Sequence, residues 1–444
     1  MATFPSIPWR RVTAHGGLWT IFAWFGRACD QAAGVLLNPL VVAIFARSIQ
    51  RDPFRISWLV AGFGLGWLLG AAVTPLLQHL TVRVMPWIVG GYIVRTAAIV
   101  LMTFAVTDGS STSDQRFKSI LICYVAYAIS TGIARTAQAR HMIHDSPRHL
   151  WDAGSPIATI GLSGLVGIGA IAMWSALSSE SLSWSESFSR IWILASVALG
   201  VATLAAIQEG VDNPEIPAKP QLAQRMALQA PPHPLSGSMA VAITGIAAIS
   251  FVEVAAFLLL FATFRRETVY LRGGVAFVAI GWVLAHLLWP FLHRRFGHAM
   301  LGQIAIGIGA MGLVVALATP ELGRADWMPE TIRGHAVVAI LIYAVGLLIG
   351  IGISIRRMAL AAFFDANVAS GRWALLLVSA IASLAPLAVG WAASRFDFEW
   401  VLIGGISLAM VVLTALGVVR GGAPIRPLTR RIGSPVPRAL LPRP

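Results

Sequence analysis

Two carboxylates stand inside long apolar runs of the chain: Asp30 within residues 17–46 and Glu253 within residues 239–261. An ionisable side chain at the centre of a hydrocarbon layer is costly, so it faces a polar cavity or a partner. At 1.5 Å per helical residue, Asp30 lies about 20 Å into its run, and Glu253 reaches a similar depth in its own. A carboxylate in such surroundings can be poised to take up and release a proton.

The run around Asp30 carries a polar stripe. Arg27, Gln31, Gly34 and Asn38 recur at helical spacing on one face, with Asp30 beside them. Arg27 and Asp30 are three residues apart, so they can pair on one helix. A permanent pair is a buried strut; an unpaired Asp30 is a proton carrier. The sequence leaves both roles open. Glu253 has no basic residue within a turn of it, which makes it the better proton carrier of the two. His286, in another apolar run, titrates in a range that suits a relay, though a lone histidine in a helix is more often a packed, hydrogen-bonded residue.

Arginines in apolar runs suggest a second kind of chemistry. Arg95 and Arg135 are candidates to hold an anionic group, bidentately if it is a carboxylate or phosphate. For Arg135 the competing reading is a side chain that snorkels to a nearby membrane surface. With Arg27, Gln31 and Asn38 they form the polar part of a candidate solute site. Tyr124, Tyr127 and Tyr343 could line it, and aromatic packing explains them equally well. No phosphate-cradling Gly-rich loop with Lys-Ser/Thr appears, and neither does a soluble catalytic constellation, so enzymatic or ATP-driven chemistry is not expected. His141 and His144 beside Asp145 lack a convincing metal spacing, and no cofactor or metal is expected. Cys29 and Cys123 sit in apolar segments and read as small buried side chains.

These residues need long helices in lipid to position them. The chain is 57% hydrophobic and only 12% charged, against roughly 25% charged in a soluble domain. Too little charge remains to cover a water-facing surface, which leaves a bilayer as the solvent. A window of about 20 residues marks twelve spans: 17–46, 57–77, 87–106, 119–138, 157–176, 191–207, 239–261, 275–292, 299–318, 336–355, 373–392 and 401–419. The runs are too long, and alternate too little, for barrel strands. The first run exceeds a signal-peptide core and reads as a retained span. The fold class is therefore all-α integral membrane. The net charge of +14 carries no basic–aromatic stripe in a polar domain, so nucleic acid is not an expected partner. Lys and Arg favour the loops on the N-terminal side of the membrane, which places both termini in the cytoplasm.

The spans repeat. Gly66-Trp67, Pro75, Leu77 and Met85 recur at matching intervals as Gly281-Trp282, Pro290, Leu292 and Met300. Tyr127-Ala128, Ile133, Arg140 and Met142 recur as Tyr343-Ala344, Ile349, Arg356 and Met358. Asp30, Ala32 and Ala33 recur as Glu253, Ala255 and Ala256. Equivalent helices are thus six spans apart and parallel, as in a two-bundle transporter with its pathway between the halves. The divisions are a bundle at 1–208, a proline-rich linker at 209–238, a second bundle at 239–420, and a basic proline-rich tail at 421–444 that can lie on anionic lipid.

In these features the chain resembles the major facilitator superfamily. The resemblance covers the whole length: six plus six spans, a polar linker, and proline-led loops after the second and eighth spans. The first loop keeps Pro75, Leu76, Leu77 and Arg83; the second reads Pro290-Phe291-Leu292-His293-Arg294-Arg295-Phe296-Gly297. Neither carries the acidic residue of the family's pattern. The resemblance implies two pseudo-symmetric six-helix bundles and a secondary transporter working by alternating access. Its expected partners are a small-molecule solute, protons and the lipid bilayer, in a plasma membrane and as a monomer. Two readings compete with transport: a non-transporting relative that assists assembly of a membrane or pigment complex, and a lipid flippase.

Overall fold

The computed structural model describes residues 17–50, 52–80, 85–145, 183–212, 268–295, 298–322, 335–367 and 372–397, with a few positions between 400 and 411. Among them the helices are α1 (Gly17–Leu36), α2 (Pro39–Ile49), α3 (Pro53–Leu80), α4 (Met85–Thr107) and α5 (Ser113–Asp145). They continue with α6 (Trp184–Asp212), α7 (Thr268–Arg295), α8 (His298–Leu322), α9 (His335–Asn367) and α10 (Arg372–Arg395). The expected fifth and seventh spans, most of the twelfth, all but the first residues of the linker, and the tail lie outside the described residues, and so does Glu253.

The first span is two helices. Pro39 has no N–H to give to the Val35 carbonyl, and Asn38 N–H donates to that carbonyl instead at 3.2 Å. Asn38 then starts α2, its own carbonyl accepting from Val42 N–H at 3.1 Å, with Pro39 at the first helical position. The Leu37 carbonyl left at the break accepts from the Tyr124 hydroxyl at 3.0 Å, in the interior. The interruption therefore leaves that buried carbonyl satisfied.

Helices α5 and α6 begin earlier than hydropathy alone indicates. Thr112 N–H donates to Gln115 Oε1 at 3.0 Å while Gln115 N–H donates back to Thr112 Oγ1 at 3.3 Å. Ser183 and Glu186 repeat the exchange at 2.8 and 3.2 Å. These capping boxes start each helix in polar sequence that an apolar window passes over. At its other end α6 runs to Asp212, into the segment read as linker, and α5 carries His141, His144 and Asp145 on helix rather than in a loop.

Along α4 the buried positions Ile88, Gly91, Tyr92, Arg95, Ala98, Ile99 and Met102 form one helical stripe. The opposite face presents Ile93, Val94, Val100, Leu101 and Phe104 outward, and α6 does the same with Ile193, Leu194, Val197 and Leu204. Faces of this size and composition need lipid as their solvent. Five described helical stretches are long and apolar enough to cross a membrane, among them Met85–Thr107, Ser185–Gln208 and Val337–Ile355.

The described helices pack in two similar sets. Helix α3 lies along α5 and α4 along α5; in the second half α7 lies along α9 and α8 along α9. The matched glycines sit at these crossings. A Cβ on Gly66 would fall inside the backbone of Ala128, and one on Gly281 inside the backbone of Leu347 and Ile351. Small residues let helices in lipid approach to backbone contact, where dispersion rather than water drives association. Helix α10 packs along α3, where Gly390 sits directly over Ser57 and Pro53.

Candidate functional site

Helix α1 lies along α6, α6 along α4, and α4 along α5. This brings Asp30, Arg95 and Tyr127 together from three helices. Arg95 Nη2 lies 2.5 Å from Asp30 Oδ1, and the Tyr92 hydroxyl donates to Asp30 Oδ2 at 3.2 Å. Both carboxylate oxygens are thus engaged from α4. The Arg95 guanidinium lies over the Tyr92 ring at 4.9 Å and the Tyr127 ring at 5.4 Å, within range of a cation–π attraction at each. Tyr124 packs beside Tyr127, ring centres 5.8 Å apart.

The two charges are unequally buried. The Arg95 side chain is 5% exposed and that of Asp30 is 19% exposed. A guanidinium keeps its charge at any accessible pH, so its burial rests on this carboxylate and the two phenol rings. The sequence offers Asp30 a partner one turn away, Arg27, and the structure supplies Arg95 from another helix. Arg27 and Gln31 are half-buried on α1, while Asn38 is fully buried at the helix break. Arg135 lies within α5, which continues to Asp145; its side chain is outside the described residues.

Tyr92 is a member of this cluster that sequence reasoning misses. Its signal is present: it stands three positions before Arg95, one helical turn away, and is one of only five tyrosines in the chain. A buried tyrosine one turn from a buried arginine is placed to share its partner.

The second half is built differently. Tyr343, the repeat partner of Tyr127, stacks on Phe277 with ring centres 4.9 Å apart and planes within 3°. Gly273 makes room for that ring, since a Cβ there would strike it. His286 is buried between α7 and α9. Its Nδ1 lies 2.9 Å from the Trp282 carbonyl and 3.3 Å from Ser354 Oγ. A carbonyl only accepts, so Nδ1 carries the hydrogen and Nε2 is left with the lone pair in the neutral ring. The Trp282 ring stacks on the imidazole at 6.2 Å. Helix α8, which occupies the place of α4 in the second half, contains neither Arg nor Lys.

No protein-family model and no curated protein matches the sequence. Solved structures do match. A D-xylose–proton symporter superposes with a TM-score of 0.59 at 13% identity, covering 90% of this chain and 96% of that one. A variant of the nucleoside transporter NupG gives 0.54 at 13% identity, over 90% of this chain and 98% of that one. A bacterial homologue of the iron transporter ferroportin, in its outward-facing state, gives 0.55 at 13% identity, over 91% and 99%. At such identities the likeness is one of fold. With its lipid-facing helices, the chain is a multi-pass membrane protein. Its fold is the major facilitator fold that these transporters share.

Proposed function

We propose that this chain is a divergent member of the major facilitator superfamily and a secondary transporter of a small organic solute, working by alternating access between its halves. The observation that carries the reading is the agreement of fold with solved transporters over 90% of the chain. The α3–α10 contact supports it, because a seam between two pseudo-symmetric bundles is where they can rock apart.

In this reading the transport is proton-coupled, and the carboxylates divide the work. Asp30 is engaged by Arg95 and Tyr92. Glu253 matches it in depth by sequence, while the helix that would supply a counterpart of Arg95 carries no arginine or lysine. Glu253 is therefore the principal proton carrier, with His286 as the candidate relay. Arg95, Tyr127 and the α1 residues Arg27 and Gln31 belong to the solute side, with Asn38, Arg135 and Tyr343 as further candidates.

The test is reconstitution in proteoliposomes containing a pH-sensitive dye, with sugars, nucleosides and carboxylates supplied in turn. Solute entry that carries protons, and that Glu253→Gln uncouples, is the expected result. Flux indifferent to an imposed pH gradient and unaltered in Glu253→Gln would overturn proton coupling. Absence of flux for every solute, with a membrane partner co-purifying, would overturn transport in favour of an assembly role; movement of labelled lipid alone would favour a flippase.

A further inference from the structure

We propose that Arg95, Tyr92 and Tyr127 form a receptor for a carboxylate group of the solute, and that Asp30 occupies it as an internal stand-in. The inference rests on the transport reading for its purpose and on local geometry for its chemistry.

The geometry shows what the receptor accepts, because one carboxylate is already in it. Asp30 puts one oxygen on Arg95 Nη2 and the other on the Tyr92 hydroxyl. That occupancy is incomplete. Nε and Nη2 form one edge of the planar guanidinium, the edge that receives a carboxylate through two parallel bonds. Asp30 uses Nη2 only, and Arg95 Nε is buried without a hydrogen-bond partner among the described residues. A side chain anchored on α1 makes one bond to this fork, whereas an untethered carboxylate can make two. The rings of Tyr92 and Tyr127 hold the guanidinium from their own helices, so the fork keeps its orientation when the occupant leaves. Asp30, the more exposed member of the pair, is the one able to move away.

Neutralising Asp30 by substitution removes the charge that competes for the fork. The other described titratable groups around it are Arg27 and Cys29 on α1, Tyr92 and Arg95 on α4, and Tyr127 on α5. Helix α6 meets α1 here through Ala202 and Ala205 against Gly26, adding no charge. Helix α7, which touches α1, commits its described histidine, His286, to Trp282 and Ser354. As the Asp30 carboxylate moves off Arg95 and the solute carboxylate arrives, the exchange keeps the buried arginine compensated.

The test is chemical rescue in the purified full chain. Asp30→Ala removes the stand-in and should lower the thermal midpoint. Sodium acetate or benzoate should restore most of that loss with saturable dependence, while sodium chloride at equal ionic strength and neutral acetamide should not. Asp30→Ala combined with Arg95→Gln should show no rescue. Should Asp30→Ala not fold, radiolabelled benzoate binding to Asp30→Asn, which preserves the shape, replaces the readout. Saturable binding absent when Arg95 is also changed to Gln supports the proposal. No rescue and no binding in either Asp30 variant, or equal rescue without Arg95, overturns it. The transport reading fails separately: Arg95-dependent rescue without flux of any solute leaves a carboxylate receptor in a protein that does not transport. Flux without rescue leaves a transporter whose solute is held elsewhere.

Discussion

Asp30 on α1 and Arg95 on α4, 65 positions apart in the chain, form a buried ion pair in which the arginine is the deeper member. That asymmetry sets the cost of breaking it. Removing one partner of a buried pair costs about 3–5 kcal/mol, mostly through the charge left behind. Arg95→Gln leaves a carboxylate that still reaches solvent and should cost about 3 kcal/mol, at the lower end. Asp30→Ala strands the deeper charge and should cost more. The double variant should cost less than the sum of the two, because neither charge is then orphaned. A double-mutant cycle on unfolding midpoints is the check; strictly additive losses would show that the two residues do not interact.

The glycine crossings make a sharp contrast. Gly66→Val and Gly281→Val should each abolish the close approach of α3 to α5 and of α7 to α9, since the added atoms meet backbone that cannot give. A Cβ added at Gly307 on α8 would meet nothing within 4 Å among the described residues. Gly307→Ala should therefore be neutral or stabilise by about 0.5–1 kcal/mol through helix propensity. Size-exclusion yield with thermal midpoints distinguishes the outcomes; tolerance of valine at Gly66 would contradict the packing.

Tyr124 is expected to hold the helix break. Tyr124→Phe leaves the Leu37 carbonyl without its hydroxyl donor in the interior, a loss of about 1–3 kcal/mol. Thermal melts should show the drop, and amide exchange at Asn38 and Val41 should quicken beyond that in distant helices. An unchanged midpoint and unchanged exchange would mean that the bond contributes nothing.

Gly390 is the position to test for movement between α3 and α10. Gly390→Leu would drive a side chain into Ser57 and Pro53 and hold α10 away from α3. Under the transport reading, flux in proteoliposomes should fall strongly while the protein still folds. Full flux in this variant would show that the closed contact is not part of the cycle.

Asp108, in the turn between α4 and α5, has a pKa held below the usual carboxylate value, chiefly by the Ser110 hydroxyl and then by the Ser110 N–H. Those donors lie 2.6 and 2.9 Å from its Oδ1. A carboxyl depressed on folding contributes stability above its unfolded value and loses it as pH falls through the folded one. Protection of the Gly109 and Ser110 amides, relative to their intrinsic exchange rates, should therefore fall on acidification below the ordinary aspartate pKa, about 3.9. Asp108→Asn should remove that dependence; a profile unaltered by the substitution would refute the assignment.

Much of the architecture is legible in the chain because lipid leaves so little freedom. A span needs a long apolar run with its backbone bonded internally, so α3, α4 and α7 through α10 appear near the expected places. Gly66 and Gly281 are visible as a repeat for the same reason that they matter: nothing larger fits at either crossing. The polar starts of α5 and α6 escape a hydropathy window because capping depends on two side chains exchanging bonds with backbone, which adds no apolar signal. The break at Asn38–Pro39 escapes the same window, since one Asn-Pro step hardly lowers the mean hydropathy of so long a run.

The pairing within the site belongs to the tertiary structure. The sequence by itself determined that Asp30 and Arg95 are both intramembrane charges requiring compensation, because their types and depths follow from position in an apolar run. It offered Arg27 as the compensating charge, for spacing along one helix is all that a linear pattern can show. That Asp30 meets Arg95, that Tyr92 takes its second oxygen, and that Tyr127 covers the guanidinium depend on how α1, α4 and α5 pack. Packing of that kind is a sum of many small contacts between distant segments, among them Gly91 against Ser130 and Ala134. No local spacing records it, and it is what turns two isolated charges into one site.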